Sequence, residues 1–235
     1  MIDFYGMSSP NVRKVGIMLE ELGLPFEFHH VNVFAGDQYE SDFWKINPNR
    51  RVPAIIDREG PGGEPFAVFE SCAILIYLAE KHGKFLPADA KGRSLAMQWT
   101  MFQAANVGPI FGQLNHFMRV SREGNDYSYG RYERESKRLY AIMNQRLEES
   151  PYLAGDTYTI ADIATYPWAA YIEQHGFDKS PYPAMMKWIG EIAARPAVAK
   201  AWDFFETKVL TMDGAAYGKA TPEQITRFYN LPAAK

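Results

Sequence analysis

The segment Met1-Ile2-Asp3-Phe4-Tyr5-Gly6-Met7-Ser8-Ser9-Pro10-Asn11-Val12-Arg13-Lys14-Val15-Gly16-Ile17-Met18-Leu19-Glu20-Glu21-Leu22-Gly23 decides the fold. Its first five residues form a β-like run. From Pro10 to Leu22, the apolar residues Val12, Val15, Ile17, Met18, Leu19 and Leu22 crowd one face of a helix. Pro10 takes the favoured first helical position and Gly23 supplies the stop. A second β-like run, Phe26 to Val33, follows directly, so the opening of the chain reads as a β-α-β unit. Working outward, a short helix is expected over Tyr39 to Ile46, followed by Pro48. The runs Val52-Pro53-Ala54-Ile55-Ile56 and Phe66-Ala67-Val68-Phe69, separated by Gly60-Pro61-Gly62-Gly63, read as a hairpin. Glu70-Ser71 then opens a helix that runs to His82, and a small sheet with covering helices is complete.

Beyond the linker Gly83 to Asp89 the pattern changes to long helical periods without a convincing strand. Helices are expected over Ala90 to Val120 with a kink at Gly108-Pro109, then Tyr127 to Glu149, Ile160 to Gln174, Pro183 to Ala194 and Ala197 to Lys208. The organisation is therefore an α/β domain over 1–82, an all-helical domain over 90–210 and a tail over 211–235. The length of 235 residues agrees, since about 150 residues per domain gives roughly 1.6 domains.

Composition narrows the function classes. Hydrophobic content of 47% with 23% charged residues is ordinary globular usage and excludes disordered, collagen-like and coiled-coil chains. A net charge of -3 offers no broad basic field, so nucleic acid is not an expected partner. No apolar run approaches membrane-spanning length and the N-terminus lacks a basic-then-apolar signal pattern, from which a soluble, cytoplasmic protein is expected. Cys72 is the single cysteine, so one chain cannot hold a disulfide, a Cys-x-x-Cys pair or a thiolate metal cage. Any thiol chemistry must then use a thiol from elsewhere. Phosphate-loop, dinucleotide, His-Glu-x-x-His and nucleophile-elbow patterns are missing. His29 and His30 are adjacent in a strand and point to opposite faces, so no metal is expected there.

Three segments, in this order, carry a resemblance: Asn47-Pro48-Asn49-Arg50-Arg51-Val52-Pro53-Ala54-Ile55, Phe69-Glu70-Ser71-Cys72-Ala73-Ile74-Leu75-Ile76-Tyr77-Leu78-Ala79, and Tyr158-Thr159-Ile160-Ala161-Asp162-Ile163-Ala164. Over residues 1 to 205 or so the chain resembles the glutathione transferase superfamily. The resemblance implies a thioredoxin-like N-terminal domain followed by a helical-bundle domain. It implies a cis Val52-Pro53 bond that lets the backbone of Val52 pair with the peptide of glutathione. Ser71 would bind the γ-glutamyl carboxylate at a helix N-terminus, and Glu70 its ammonium group. Read without the resemblance, Ser71 is an ordinary N-cap and Cys72 a small buried residue. Thr159-Ile160-Ala161-Asp162 has the spacing of a capping box and reads as a folding element.

Ser9-Pro10-Asn11 looks most like the Thr-Pro-Asn pattern of the bacterial Nu class, with serine in place of threonine. By that resemblance Ser9 and Asn11 donate to the glutathione sulfur at the start of the first helix, while Tyr5 is a strand residue. Gly36-Asp37-Gln38, Gly108-Pro109, Gly112-Gln113 and Arg131-Tyr132 extend the likeness. Gln38 and Arg51 would reach the glycyl end and Arg131 a dimer cleft, although Arg131 also sits in a charged run that reads as a solvated helix face. The chain departs from the class at Leu114-Asn115-His116. The class binds two glutathione molecules per site and reduces disulfides without a protein cysteine, and a homodimer is expected. Glutathione is thus the expected cosubstrate, with a small disulfide or an organic hydroperoxide as its oxidised partner. Trp99, Phe102, Phe111, His116 and Phe117 form an apolar helix face that reads as core or as a pocket for an aromatic electrophile, the alternative being a transferase that conjugates such a substrate or cleaves its thioether or ether bond. A non-enzymatic scaffold is the other alternative.

Overall fold

The computed structural model describes residues 1–40, 42–120 and 122–231. The chain divides into two compact units: one combines Met1–Ile74 with the segment that starts at Ala197, and the other is Leu75–Pro196.

The first unit opens with β1 (Ile2–Gly6), α1 (Pro10–Leu22) and β2 (Phe26–His30), followed by a 3-10 turn at Asp37–Tyr39, α2 (Phe43–Ile46), β3 (Ala54–Asp57) and β4 (Phe66–Phe69). The sheet order is β2-β1-β3-β4. The β1 and β2 strands pair in parallel from Ile2↔Phe26 to Gly6↔His30, as a β-α-β crossover requires, while β3 and β4 form the expected antiparallel hairpin. The second strand is shorter than expected because pairing ends at His30. The next helix, α3 (Ser71–His82), runs across the border between the units.

The second unit holds α4 (Ala90–Phe102), α5 (Gly108–Arg119), α6 (Asp126–Glu149), α7 (Ile160–Ala169) and α8 (Pro183–Ala193). The single helix expected over Ala90 to Val120 is instead two helices joined by a π turn at Gln103–Val107. Pro109 has no N–H and its ring crowds the preceding turn, and widening the turn by one residue relieves this. The backbone N–H of Gly108 accordingly reaches Gln103 O. Helix α7 ends at Ala169 rather than at Gln174, and short turn bonds such as Tyr171 N–H to Trp168 O follow it.

The last elements are α9 (Pro196–Phe204), a second π turn at Phe205–Val209, α10 (Leu210–Tyr217) and α11 (Pro222–Tyr229). These pack with the sheet unit. Helix α1 is buried at every residue from Val12 to Leu19, far more than one amphipathic face. Phe28 meets Phe204 and Phe205 edge to face, and an added Cβ on Gly16 would lie 2.6 Å from the Phe205 ring, so that close approach requires glycine. Farther along, Phe34 packs edge to face with Tyr217 and Phe228, and Arg227 donates to Ala35 O at 2.6 Å. No helix of the described residues is long and apolar enough to cross a membrane.

Candidate active site

Within the sheet unit a cleft of about 200 Å³ is lined by Asn11, Asn47, Asn49, Arg51, Val52, Pro53, Glu70 and Ser71. Its three walls come from three chain turns. The first is the start of α1, where Ser9 is the N-cap and its Oγ accepts the Val12 N–H at 3.3 Å. Pro10 and Asn11 follow as the first two helical residues, and no acidic residue stands in that turn. The positive end of α1 is therefore not neutralised by its own sequence.

The second wall is the loop before β3. The buried Asn47 holds it from both sides, its Nδ2 donating to Arg51 O at 2.7 Å and its Oδ1 accepting the Asn49 N–H at 2.9 Å. Arg50 adopts a left-handed φ of 54°, and the Val52-Pro53 peptide bond is cis. The third wall is the entry to α3. Glu70 has a φ of 68°, a region that costs a non-glycine residue free energy and that clusters at binding sites. Its carbonyl still accepts the Ile74 N–H at 2.9 Å, so Glu70 caps the helix while its backbone turns away.

Behind Ser71 lies Lys14, one of the largest fully buried side chains. Its Nζ donates to Ser71 Oγ at 3.2 Å. Burial lowers the Lys14 ammonium to about 8, and the Cys72 thiol and Glu70 carboxylate act in the opposite direction. With a lone pair of Ser71 Oγ engaged by Lys14, the hydroxyl hydrogen is left to donate to an anion in the cleft. The residues on this side offer one carboxylate, one hydroxyl, a helix N-terminus and a buried cation behind it. Such a set suits a group carrying both a carboxylate and an ammonium.

Of the site residues expected from the sequence, Asn11, Arg51, Val52, Pro53, Glu70 and Ser71 come together in this cleft. Ser9 sits two residues before Asn11 and does not line it. Gln38 does not line it either: it is buried in the 3-10 turn and its amide donates to Val33 O at 3.3 Å. Arg131 lies exposed on α6, in the other unit. Phe111 is corrected from a pocket candidate to a core residue, being fully buried and stacked on Tyr140 at 4.6 Å. Trp99, Phe102, His116 and Phe117 are half-buried, with Phe117 stacked on Tyr132. Tyr5 is a strand residue stacked on His29. Sequence reasoning missed Asn47, Asn49 and Lys14 as site residues. Asn47 and Asn49 stood in a quoted motif, whereas a lysine on a mostly apolar helix carried no signal of full burial.

The two histidines do point apart: His29 Nε2 is 2.9 Å from Asp3 Oδ1 and His30 Nε2 is 2.8 Å from Asp213 Oδ1. Asp3, Glu27 and His29 approach one another, but Arg58 spans the two carboxylates and holds the Asp3 carboxyl down to about 2.

Comparison with known proteins agrees with this geometry. Residues 8–81 match the glutathione S-transferase N-terminal domain and residues 109–196 the C-terminal domain. The chain belongs to the glutathione S-transferase family. It is 41% identical over 202 residues to the disulfide-bond oxidoreductase YfcG of Escherichia coli (strain K12), a match covering 86% of this chain and 94% of that protein. A glutathione transferase from Burkholderia graminis, solved with two glutathione molecules bound per subunit, has a TM-score of 0.79 at 44% identity, covering 86% of this chain and 87% of the other. One from Pseudomonas putida, with one glutathione disulfide bound per subunit, has a TM-score of 0.79 at 36% identity, covering 85% and 90%.

Proposed function

We propose that this protein is a glutathione-dependent disulfide-bond oxidoreductase that uses the thiolate of bound glutathione and no thiol of its own. The observation that carries this reading is a polar cleft at the N-terminus of a helix whose first turn holds no acidic residue, in a chain whose single cysteine, Cys72, is buried. Kinship with YfcG supports the same reading.

In this reading Glu70 and Ser71 hold the γ-glutamyl end, with Lys14 fixing the Ser71 hydroxyl from behind. The backbone of Val52, which lines the cleft beside Pro53, pairs with the cysteinyl peptide, and Arg51 meets the glycyl carboxylate. Asn11 and Ser9, at the positive end of α1, donate to the sulfur and favour its thiolate. The thiolate attacks one sulfur of a small disulfide, forming a glutathionyl mixed disulfide and releasing one thiolate. A second glutathione thiolate then attacks the glutathione sulfur of that mixed disulfide, giving glutathione disulfide and the second thiolate. Two electrons pass from two glutathiones to the substrate, and two protons end on the released thiols. The enzyme contributes placement and thiolate stabilisation.

The two glutathiones of the Burkholderia graminis structure support a site that accepts both reductants together, as in the Nu class. A homodimer with Arg131 at the intersubunit cleft and a cytoplasmic setting, where glutathione is kept reduced, complete the reading. The test is glutathione-dependent reduction of 2-hydroxyethyl disulfide coupled to glutathione reductase, run beside conjugation of an aromatic electrophile. Fast reduction with weak conjugation is expected; the reverse would overturn the reading in favour of a conjugating enzyme.

A further inference from the structure

The loop that carries Ser9 leaves the sheet at Gly6, and β1 has no partner beyond that residue. What holds the next residues comes from the far end of the chain. Asp213, on α10 and only 8% exposed, accepts the Ser8 backbone N–H on Oδ2 at 2.7 Å. Its other oxygen, Oδ1, is 2.8 Å from His30 Nε2, at the end of β2. The Ser8 side chain is held as well: its Oγ accepts from Arg13 Nη2 at 3.1 Å, and the same nitrogen donates to Glu206 Oε1 at 2.7 Å. The Arg13 guanidinium lies over the Trp202 ring at 4.4 Å. Ser8 is thus gripped at its backbone by Asp213 and at its hydroxyl by a link that ends on Glu206.

We infer that Asp213 is a positioning residue for the thiol-activating turn, holding Ser8 so that Ser9 and Asn11 face the glutathione sulfur. This rests on the proposed glutathione chemistry. A carboxylate near a forming thiolate would by its charge oppose it, so its contribution must be geometric. The 2.7 Å bond to a carboxylate oxygen is of the short, directional kind. Misplacement of a reacting group by about 1 Å can cost about 10²-fold in rate. The groups bonded to Asp213 are His30 and the Ser8 amide, while Arg13 engages the Ser8 hydroxyl and Glu206.

The geometry and field explanations predict opposite results for Asp213→Asn, which keeps an oxygen for the Ser8 N–H but loses the charge. Binding of glutathione to the wild type is measured first by calorimetry; its absence would remove the functional reading itself, and this inference with it. Given binding, Asp213→Ala is expected to lower kcat for 2-hydroxyethyl disulfide about 10-fold or more, with KM for glutathione changed less than about threefold. Its pH–rate profile should move to higher pH as the bound thiol becomes harder to ionise. Asp213→Asn should stay within about threefold of wild type. An unchanged kcat in Asp213→Ala, or an Asp213→Asn more than about threefold faster than wild type, would overturn the inference. Should Asp213→Ala not fold, Asp213→Glu decides: the same charge displaced by one methylene should lose kcat at an unaltered unfolding midpoint, and wild-type kcat would refute positioning.

Discussion

Helices α1 and α7 both begin with a hydroxyl residue as N-cap, yet one N-terminus is closed and the other open. At α7, Thr159 and Asp162 cap each other, and Asp162 also accepts from Leu153 N–H at 3.0 Å and Trp188 Nε1 at 3.1 Å. Both residues are essentially fully buried. At α1, Ser9 and Asn11 are half-buried, the first turn holds no carboxylate and Asn11 lines a cleft. An N-terminus whose donors are met by its own side chains stabilises the fold and has nothing left for a ligand. Without an acidic residue in the first turn, its positive end remains available to an anion.

Substituting each terminus should separate stability from chemistry. Asp162→Ala should cost about 3 kcal/mol of unfolding free energy in a denaturant titration, because buried donors are left without an acceptor, while the folded fraction keeps its turnover. Loss of turnover without loss of stability would reverse the contrast. Asn11→Ala should do the opposite, lowering disulfide reduction about 10²-fold, or roughly 2.7 kcal/mol, at a nearly unchanged melting temperature. Ser71→Ala should weaken glutathione binding about 10-fold by calorimetry, testing whether α3 shares the open character of α1.

The pH dependence of binding sharpens the point. Burial lowers Lys14 from 10.5 to about 8, so its charge is present at neutral pH and is lost as pH rises through about 8. Between about 8 and 10.5 the native state binds fewer protons than the unfolded chain, so the cost of burying this charge is relieved as pH rises. Affinity for S-methylglutathione, which has no ionisable thiol, should accordingly fall about threefold more between about pH 7 and pH 9 in wild type than in Lys14→Met. Equal slopes would remove Lys14 from the binding site. The smallest effect is expected for Cys72→Ser, whose activity should match wild type; an inactive, folded, glutathione-binding variant would mean that the protein's own thiol takes part.

Much of this contrast was legible beforehand. The capping box stood in the spacing Thr159-Ile160-Ala161-Asp162, and the β-α-β unit in the alternation of Met1–Gly23 with the run after it. The kink near Pro109 was legible as a break, but its form as a π turn was not, since several geometries remove the same clash. Phe111 and Phe117 looked alike in the helical period, which cannot tell a core-facing ring from a half-buried one; packing against Tyr140 separates them.

The sequence by itself determined the local elements, because hydrophobic period, proline and glycine act within a few residues. Through its resemblance to a family it also named most of the cleft. Only the tertiary structure decided that the segment after Ala197 belongs with the sheet, that Lys14 stands buried behind Ser71, and that Asp213 holds Ser8 from 205 positions away. Such contacts follow from which faces meet in the folded chain, and local pattern carries no record of a partner so distant.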